Sequence, residues 1–329
     1  MAAEKSVLLP VSADEAFALL TEPDRLRRWK TISARVDLRA GGAYRWTIVP
    51  GHAAAGTFRE IEPGRRIVFG WGWEGSPDLA PDASTVTVTL EPVEGGTLVR
   101  LVHEGLTPEQ EASHLAGWTH FFARLERAAT AGDAGPDEWA ASPPDLDPLV
   151  SADATLAVCQ HVLRGISPDD LARPTPCEDL TVAELADHLI GSLADLGRSA
   201  GGTVRPAAVG SVESRVAVVG QQAIEAWVSR GLAGAVRLPS GGEAPAAVVV
   251  GALSTELLVH AWDFAAALGR QVPVSDDVTG YVLELAQRAV AQSATQHVKE
   301  GGSAADARAV GPDARTLERL IEFSGRTAA

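Results

Sequence analysis

The feature that most constrains this chain is a change of period. From residue 44 to residue 103 apolar residues recur at every second position, and beyond residue 108 they recur at helical spacing. Tyr44, Trp46 and Ile48 alternate with Arg45 and Thr47. Ile67, Phe69, Trp71 and Trp73 alternate with Arg66, Val68, Gly70 and Gly72. Val86, Val88 and Leu90 are separated by threonines, and Val99, Leu101 and His103 by Arg100 and Val102. Successive side chains of a strand point to opposite faces, so this pattern buries one face of a sheet. Gly41-Gly42, Pro63-Gly64 and Gly95-Gly96 punctuate the runs, as the turns of an antiparallel meander would. Leu115, Trp118, Phe121, Phe122 and Leu125 then form a helical stripe. Before the meander come a short strand over residues 4–9, a helix opened by a capping box at Ser12 and Glu15, and a short helix over 23–29. Residues 1–130 are therefore expected to be α+β, a curved antiparallel sheet wrapped on a long C-terminal helix.

Residues 131–150 are rich in Gly, Pro and Asp and read as a linker. Everything after them reads helical. Helices are expected over about 152–165, from a second capping box at Thr181 and Glu184 to about 196, over 212–232, 245–268 and 276–297, with a short one around Leu320. A Gly/Ala/Asp-rich stretch from 301 to 313 reads as mobile. Residues 151–329 are thus expected to form an all-α four-helix bundle, whose sites are built from side chains on facing helices. A length of 329 residues fits two domains better than one.

The apolar run at 245–268 contains the most informative stretch, Thr255-Glu256-Leu257-Leu258-Val259-His260-Ala261-Trp262-Asp263. Val249, Leu253, Glu256, His260 and Phe264 fall on one face. Glu256 and His260 are four apart and so are neighbours on a face that should be buried. A buried carboxylate or imidazole is costly unless paired or bound to a metal. Two arrangements satisfy the pair: a Glu–His hydrogen bond inside the core, or half of a divalent-metal site. His188 lies at the edge of the stripe formed by Val182, Leu185, Leu189 and Leu193, and would complete the second arrangement. Two imidazoles and a carboxylate suit Zn²⁺ and leave a fourth position open, as in catalytic zinc sites.

Two resemblances sharpen these expectations. Residues 7–10 with Ala16-Phe17, the Arg27-Arg28-Trp29 turn, Gly41-Gly42-Ala43-Tyr44-Arg45, His103-Glu104-Gly105-Leu106 and Gly117-Trp118 resemble the START-like (SRPBCC) superfamily. The likeness is to its branch related to the activator of the heat-shock-protein-90 ATPase, and it covers residues 3–130. It implies a helix-grip fold with a cavity between sheet and helix. Trp29, Trp46, Trp71, Trp73 and Trp118 are then candidates to line that cavity, or simply core. In the second half, Pro174-Thr175-Pro176-Cys177, Leu180-Thr181-Val182 and residues 185–191 resemble the DinB-like, mycothiol-dependent maleylpyruvate isomerase-type bundle. Residues 256–263 and the ending Leu320-Ile321-Glu322-Phe323-Ser324-Gly325-Arg326 resemble the same family. That resemblance implies a metal held by His188, Glu256 and His260, with Asp263 orienting His260 from behind. It also implies chemistry on a low-molecular-weight thiol such as mycothiol, and assigns Cys177 to packing.

Composition removes several function classes. A net charge of −15 without a basic patch argues against nucleic acid. No apolar run free of polar breaks is long enough to argue for a membrane span; 245–268 comes nearest but carries Glu256, His260 and Asp263. Two cysteines without a spacing motif fit a reduced cytoplasm. Lysine occurs only at positions 5, 30 and 299 while arginine is common, as in a GC-rich, actinobacterial genome. The functions left are a thiol-dependent transferase or isomerase acting on a small apolar or thiol-conjugated ligand, a non-enzymatic binding or stress-response protein with a structural metal, and a chaperone cofactor.

Overall fold

The computed structural model describes residues 2–177, 180–238, 241–299 and 316–326, and of 293–299 the backbone alone. The stretch 301–313, read above as mobile, lies outside the described residues. The chain divides into two compact units, Met1–Asp137 and Glu138–Ala329.

Unit 1 opens with β1 (Ala2–Leu9), α1 (Ala13–Thr21) and α2 (Pro23–Leu26). Six strands follow: β2 (Ser33–Val36), β3 (Ala43–Val49), β4 (His52–Glu62), β5 (Arg66–Trp71), β6 (Ser84–Val93) and β7 (Gly96–Glu104). The long helix α3 (Pro108–Ala131) closes the unit. All seven strands form one antiparallel sheet in the order β1-β7-β6-β5-β4-β3-β2. Six of them are joined in sequence; only β1 makes a distant pairing, with Ala2 opposite Glu104 and Leu9 opposite Thr97. Register shifts between β3 and β4 and between β4 and β5 bend those strands, as bulges do.

The alternation read from the sequence is the burial pattern of β6 and β7, whereas in β3 and β5 Thr47, Val68 and Gly70 of the opposite face are buried as well. Val86, Val88, Leu90, Val99, Leu101 and His103 all point into the core, where they meet Trp118, Phe121, Phe122 and Leu125 of α3. Leu115, expected in that stripe, is instead 39 % exposed, one turn before the buried part of α3 begins. At Ser12 only half of the expected capping box forms. Ser12 Oγ accepts from the Glu15 amide, but the Glu15 carboxylate pairs with Arg25 at 3.2 Å. Thr107 and Gln110 make a complete box at the start of α3.

The segment 131–150 is not one open linker. Its first residues are tied to unit 1 by the buried Arg124. Arg124 Nε donates to the Trp29 carbonyl at 3.0 Å, and its terminal nitrogens donate to the carbonyls of Pro136 and Gly135 at 2.9 Å each. Ala134 is buried in the same core. Glu138–Ala141 form a short helix, α4, and residues 148–150 already belong to α5. Gly and Pro set the local turns here, but a buried guanidinium needs acceptors, and these carbonyls supply them.

Unit 2 contains α5 (Pro148–Leu163), α6 (Val182–Ser199), α7 (Val212–Arg230), α8 (Ala246–Leu268), α9 (Asp276–Lys299) and α10 (Thr316–Phe323). Helix α8 is central and packs on α5, α6 and α9; α6 also packs on α7. The complete capping box expected at Thr181 and Glu184 starts α6. The unit is not purely helical. Strands β8 (Ala235–Arg237) and β9 (Glu243–Pro245) pair antiparallel just before α8. Val236 is the buried side chain of this ribbon, and Gly241 and Gly242 take positive φ in its turn. Pro245 therefore ends a strand and caps α8 rather than occupying its first turn. By length and apolar composition α8 could cross a membrane, alone among the described residues; in the fold two-thirds (67 %) of its most apolar window is buried.

Candidate metal centre

The central position of α8 explains why its polar residues matter. His260 is buried and Glu256 half-buried on α8, while His188 is exposed on α6, so the group runs from core to solvent. One ligand atom from each of the three lies within 4.8 Å of the others. The His188 and His260 rings are 5.2 Å apart and perpendicular. His260 Nε2 stands 3.4 Å from Glu256 Oε2. That carboxylate oxygen is buried and meets no donor in hydrogen-bond geometry. An orphaned buried carboxylate oxygen beside two imidazoles is the donor set a divalent ion would satisfy.

The other face of His260 is fixed. Its Nδ1 lies 2.9 Å from Asp263 Oδ2, which places the proton on Nδ1 and turns the Nε2 lone pair toward Glu256 and His188. Asp263 is fully buried and is gripped by the Arg326 fork, Nε to Oδ1 at 2.7 Å and Nη2 to Oδ2 at 2.8 Å. Arg326 Nη2 also lies 3.3 Å from Cys177 Sγ. Cys177, His260 and Asp263 make a second group of mutually close donors, but through Arg326 it sits behind His260, on the Nδ1 side. Among the described residues no fourth His, Cys, Asp or Glu joins the His188–Glu256–His260 group.

Charge follows this geometry. Burial on its own would raise the Glu256 carboxyl, but the approach of His260 and Ser192 and the charge of His188 outweigh it and hold the group below the usual carboxylate range. Burial would lower His260, yet Asp263 and Glu256 together raise it. Arg326 and Ser192 had no role in the reading of the sequence. Arg326 was visible only as the end of a motif. Ser192 follows His188 by four residues, the spacing that puts both on one face of α6. Replacing Arg326 by alanine leaves the buried Asp263 carboxylate with His260 as its remaining side-chain contact. Breaking such a pair costs about 3–5 kcal/mol. Urea unfolding followed by far-ultraviolet circular dichroism should register that loss in unit 2. Arg326→Lys should recover only part of it, because an ammonium cannot make the two-pronged contact.

In unit 1 the five tryptophans named above fall together. Trp29, Trp46, Trp71 and Trp118 are buried, and Trp73 is half-buried against the same core. Trp29 is held by its Nε1 donating to the Leu19 carbonyl at 2.8 Å. Trp71 and Trp73 share a side of the sheet, and both indole N–H groups donate to His114 Nε2, at 3.2 and 3.3 Å. The space between the four buried indoles is taken by the Lys30 ammonium, which the sequence reading passed over.

A seven-stranded antiparallel sheet closed by one long helix, followed by a helical unit with a three-residue donor group, defines the class of protein. Comparison places the first part more closely. Residues 10–130 match the family model described as "Activator of Hsp90 ATPase homolog 1-like protein", so an AHSA1-like domain of the SRPBCC/START-like kind stands at the N-terminus. The uncharacterised Mycobacterium tuberculosis proteins MT0763 and Rv0738 are each 28 % identical to this chain over 186 residues, 55 % of this chain and 99 % of theirs. Among solved structures, DynU16 from the dynemicin biosynthetic locus is 23 % identical with a TM-score of 0.37, over 40 % of this chain and 48 % of its own. The Aha1 dimer from Colwellia psychrerythraea is 19 % identical with a TM-score of 0.37, over 40 % of this chain and 98 % of its own. The chain thus spans about half the length of DynU16.

Proposed function

We propose that unit 2 is a DinB-like, mycothiol-dependent maleylpyruvate isomerase-type metal-binding bundle. In this reading the whole chain is a cytoplasmic, thiol-dependent transferase or isomerase, acting on a small organic molecule held by the START-like unit. One observation carries the reading: His188, Glu256 and His260 converge from two helices on the orphaned carboxylate oxygen of Glu256. Zn²⁺ suits two imidazoles and one carboxylate. Such an ion would bind and deprotonate a low-molecular-weight thiol, because a coordinating thiol gives up its proton outright.

The rest is the work of this chain's own residues. Asp263 keeps His260 in the tautomer that offers Nε2, and the Arg326 fork holds Asp263 in place. Glu256 supplies the negative charge of the donor set. The exposed His188 leaves the solvent side of the group open to an incoming thiol. Cys177, held against Arg326 behind His260, does not compete for that side. A structural metal in a non-enzymatic protein would call for a fourth protein donor, and among the described residues none joins the group. The test is to load the full chain with Co²⁺ and titrate mycothiol. A new near-ultraviolet thiolate-to-cobalt band, absent in His260→Ala, is expected. A cobalt spectrum indifferent to the thiol would sink the thiol reading and leave the structural one.

A further inference from the structure

Lys30 lies in an environment that lysine side chains rarely occupy. It is only 6 % exposed. Its Nζ stands 4.3 Å from the ring centre of Trp46, 4.6 Å from Trp118, 5.0 Å from Trp71 and 5.8 Å from Trp29. Among the described residues no hydrogen bond or ion pair reaches Nζ, and no carboxylate acts on it. Lysine is almost never fully buried unless paired. Each indole face attracts an ammonium by about 0.5–2 kcal/mol. Losing water without a counter-ion costs several kcal/mol.

The polar groups nearest this cage cannot serve as counter-ions. His103 on β7 and His114 on α3 face it and each other, with ring centres 4.9 Å apart. Burial pushes His103 down to about 3 and lowers His114 as well, so both imidazoles are neutral. Trp118 Nε1 donates to His103 Nδ1 at 3.2 Å, which leaves the proton on Nε2. That proton points at Ser84 Oγ, 2.8 Å away, and Ser84 in turn donates to the Trp71 carbonyl at 3.0 Å. The relay runs from histidine to serine, the wrong direction for activating a serine. Lys30 is left as the nucleophile of this cluster.

We propose that Lys30 is a covalent anchoring site for an apolar aldehyde or ketone, which its amine captures as a reversible imine. The nitrogen forms a C=N bond to the carbonyl carbon, the C–O bond breaks, and the oxygen leaves as water with the two amine protons. Hydrolysis reverses the step with the same balance. Burial pushes Lys30 from the ordinary 10.5 down to about 7. Near neutral pH the reactive free amine is then about a hundredfold more populated than in an exposed lysine, once the attraction of the ammonium to the indoles is set against burial. The indoles select an apolar ligand. The half-buried Trp73 and His114, joined by one shared contact, form the edge of the cluster nearest solvent.

This inference rests on the START-like unit admitting a small apolar molecule, and the experiment separates the two. The full chain is treated at pH 7 with benzaldehyde and cyanoborohydride, and adducts are mapped by mass spectrometry. With lysine only at positions 5, 30 and 299, the assignment is unambiguous. Lys30 should be modified at least about tenfold faster than Lys5, with a half-maximal rate well below the pH of about 10 or above at which an exposed lysine reaches it. Lys30→Arg should lose that adduct and no other. Benzyl alcohol, which cannot form an imine, is run in parallel against indole fluorescence. If the alcohol perturbs the indoles while the aldehyde labels Lys5 and the N-terminus but spares Lys30, the amine is a structural plug and the inference is wrong. If neither compound is taken up, the apolar-ligand reading fails and the inference falls with it.

Discussion

Replacing His260 by alanine is expected to abolish divalent-metal binding by the full chain. Of the three donors His260 is the one locked in place. It is 4 % exposed, its Nδ1 is held by Asp263, and its Nε2 lies 3.4 Å from the Glu256 oxygen that has no other partner. His188 is exposed and loses more side-chain freedom on coordination, so His188→Ala should weaken binding severely. Asp263→Asn should cost about 10–100-fold in affinity, the usual effect of a partner that orients a ligating histidine. Cys177→Ala should leave affinity unchanged, because Cys177 sits on the Nδ1 side of the ring. Calorimetric titration of chelator-treated protein with Zn²⁺ measures all four, and His161→Ala is the control. Unaltered Zn²⁺ affinity in His260→Ala would remove the site.

The stability of unit 1 is expected to rise with pH through two windows. His103 has a folded pKa of about 3 against an ordinary 6.5, because burial disfavours its charged form. Between those values the unfolded chain binds more protons, so stability increases with pH there. Lys30 repeats the logic higher up, from about 7 to its ordinary 10.5. Each group contributes a slope of up to about 1.4 kcal/mol per pH unit. Attraction of the ammonium to four indole faces narrows the upper window, leaving a gain on the order of 3 kcal/mol across it. Urea unfolding read from fluorine-labelled tryptophan would resolve the unit 1 indoles from those of unit 2. Lys30→Met should flatten the upper window, keep the lower one, and be more stable than the parent at pH 6, since an apolar side chain of similar length no longer brings a charge into the cage. A parent protein with flat stability from pH 7 to 10 would show that Lys30 keeps an ordinary pKa.

Much of the fold was legible because the relevant physics is local. Period two along residues 86–90 and 99–103 corresponds to β6 and β7, and the Thr181–Glu184 box to the start of α6. Weakly patterned segments were harder to place. The Ala53-Ala54-Ala55-Gly56 run of β4 offers little alternation, and the three-residue β8 and β9 are held by pairing with each other, by one buried valine and by Arg230 donating to the Ala235 carbonyl, none of which a period announces. The early part of the 131–150 segment is tied down for a reason its composition does not carry. Its composition is that of a linker, but its carbonyls are needed by a buried arginine ten or more residues earlier in the chain.

The candidate sites divide along the same line. The sequence by itself determined that Glu256 and His260 share a face, because helical spacing fixes that without reference to anything else. It also determined that His103 points inward, because a strand alternates. Only the tertiary structure decided that His188 on α6 meets that face, since helix packing and not spacing brings α6 against α8. Only the tertiary structure closed the Arg326 fork on Asp263 across 63 residues of chain. And only the folding of β3, β5, α3 and the turn after α2 around one point put four indoles about Lys30. A side chain's period is a property of its own segment, whereas its partners, its burial and the charge it carries depend on elements that meet only when the chain is folded.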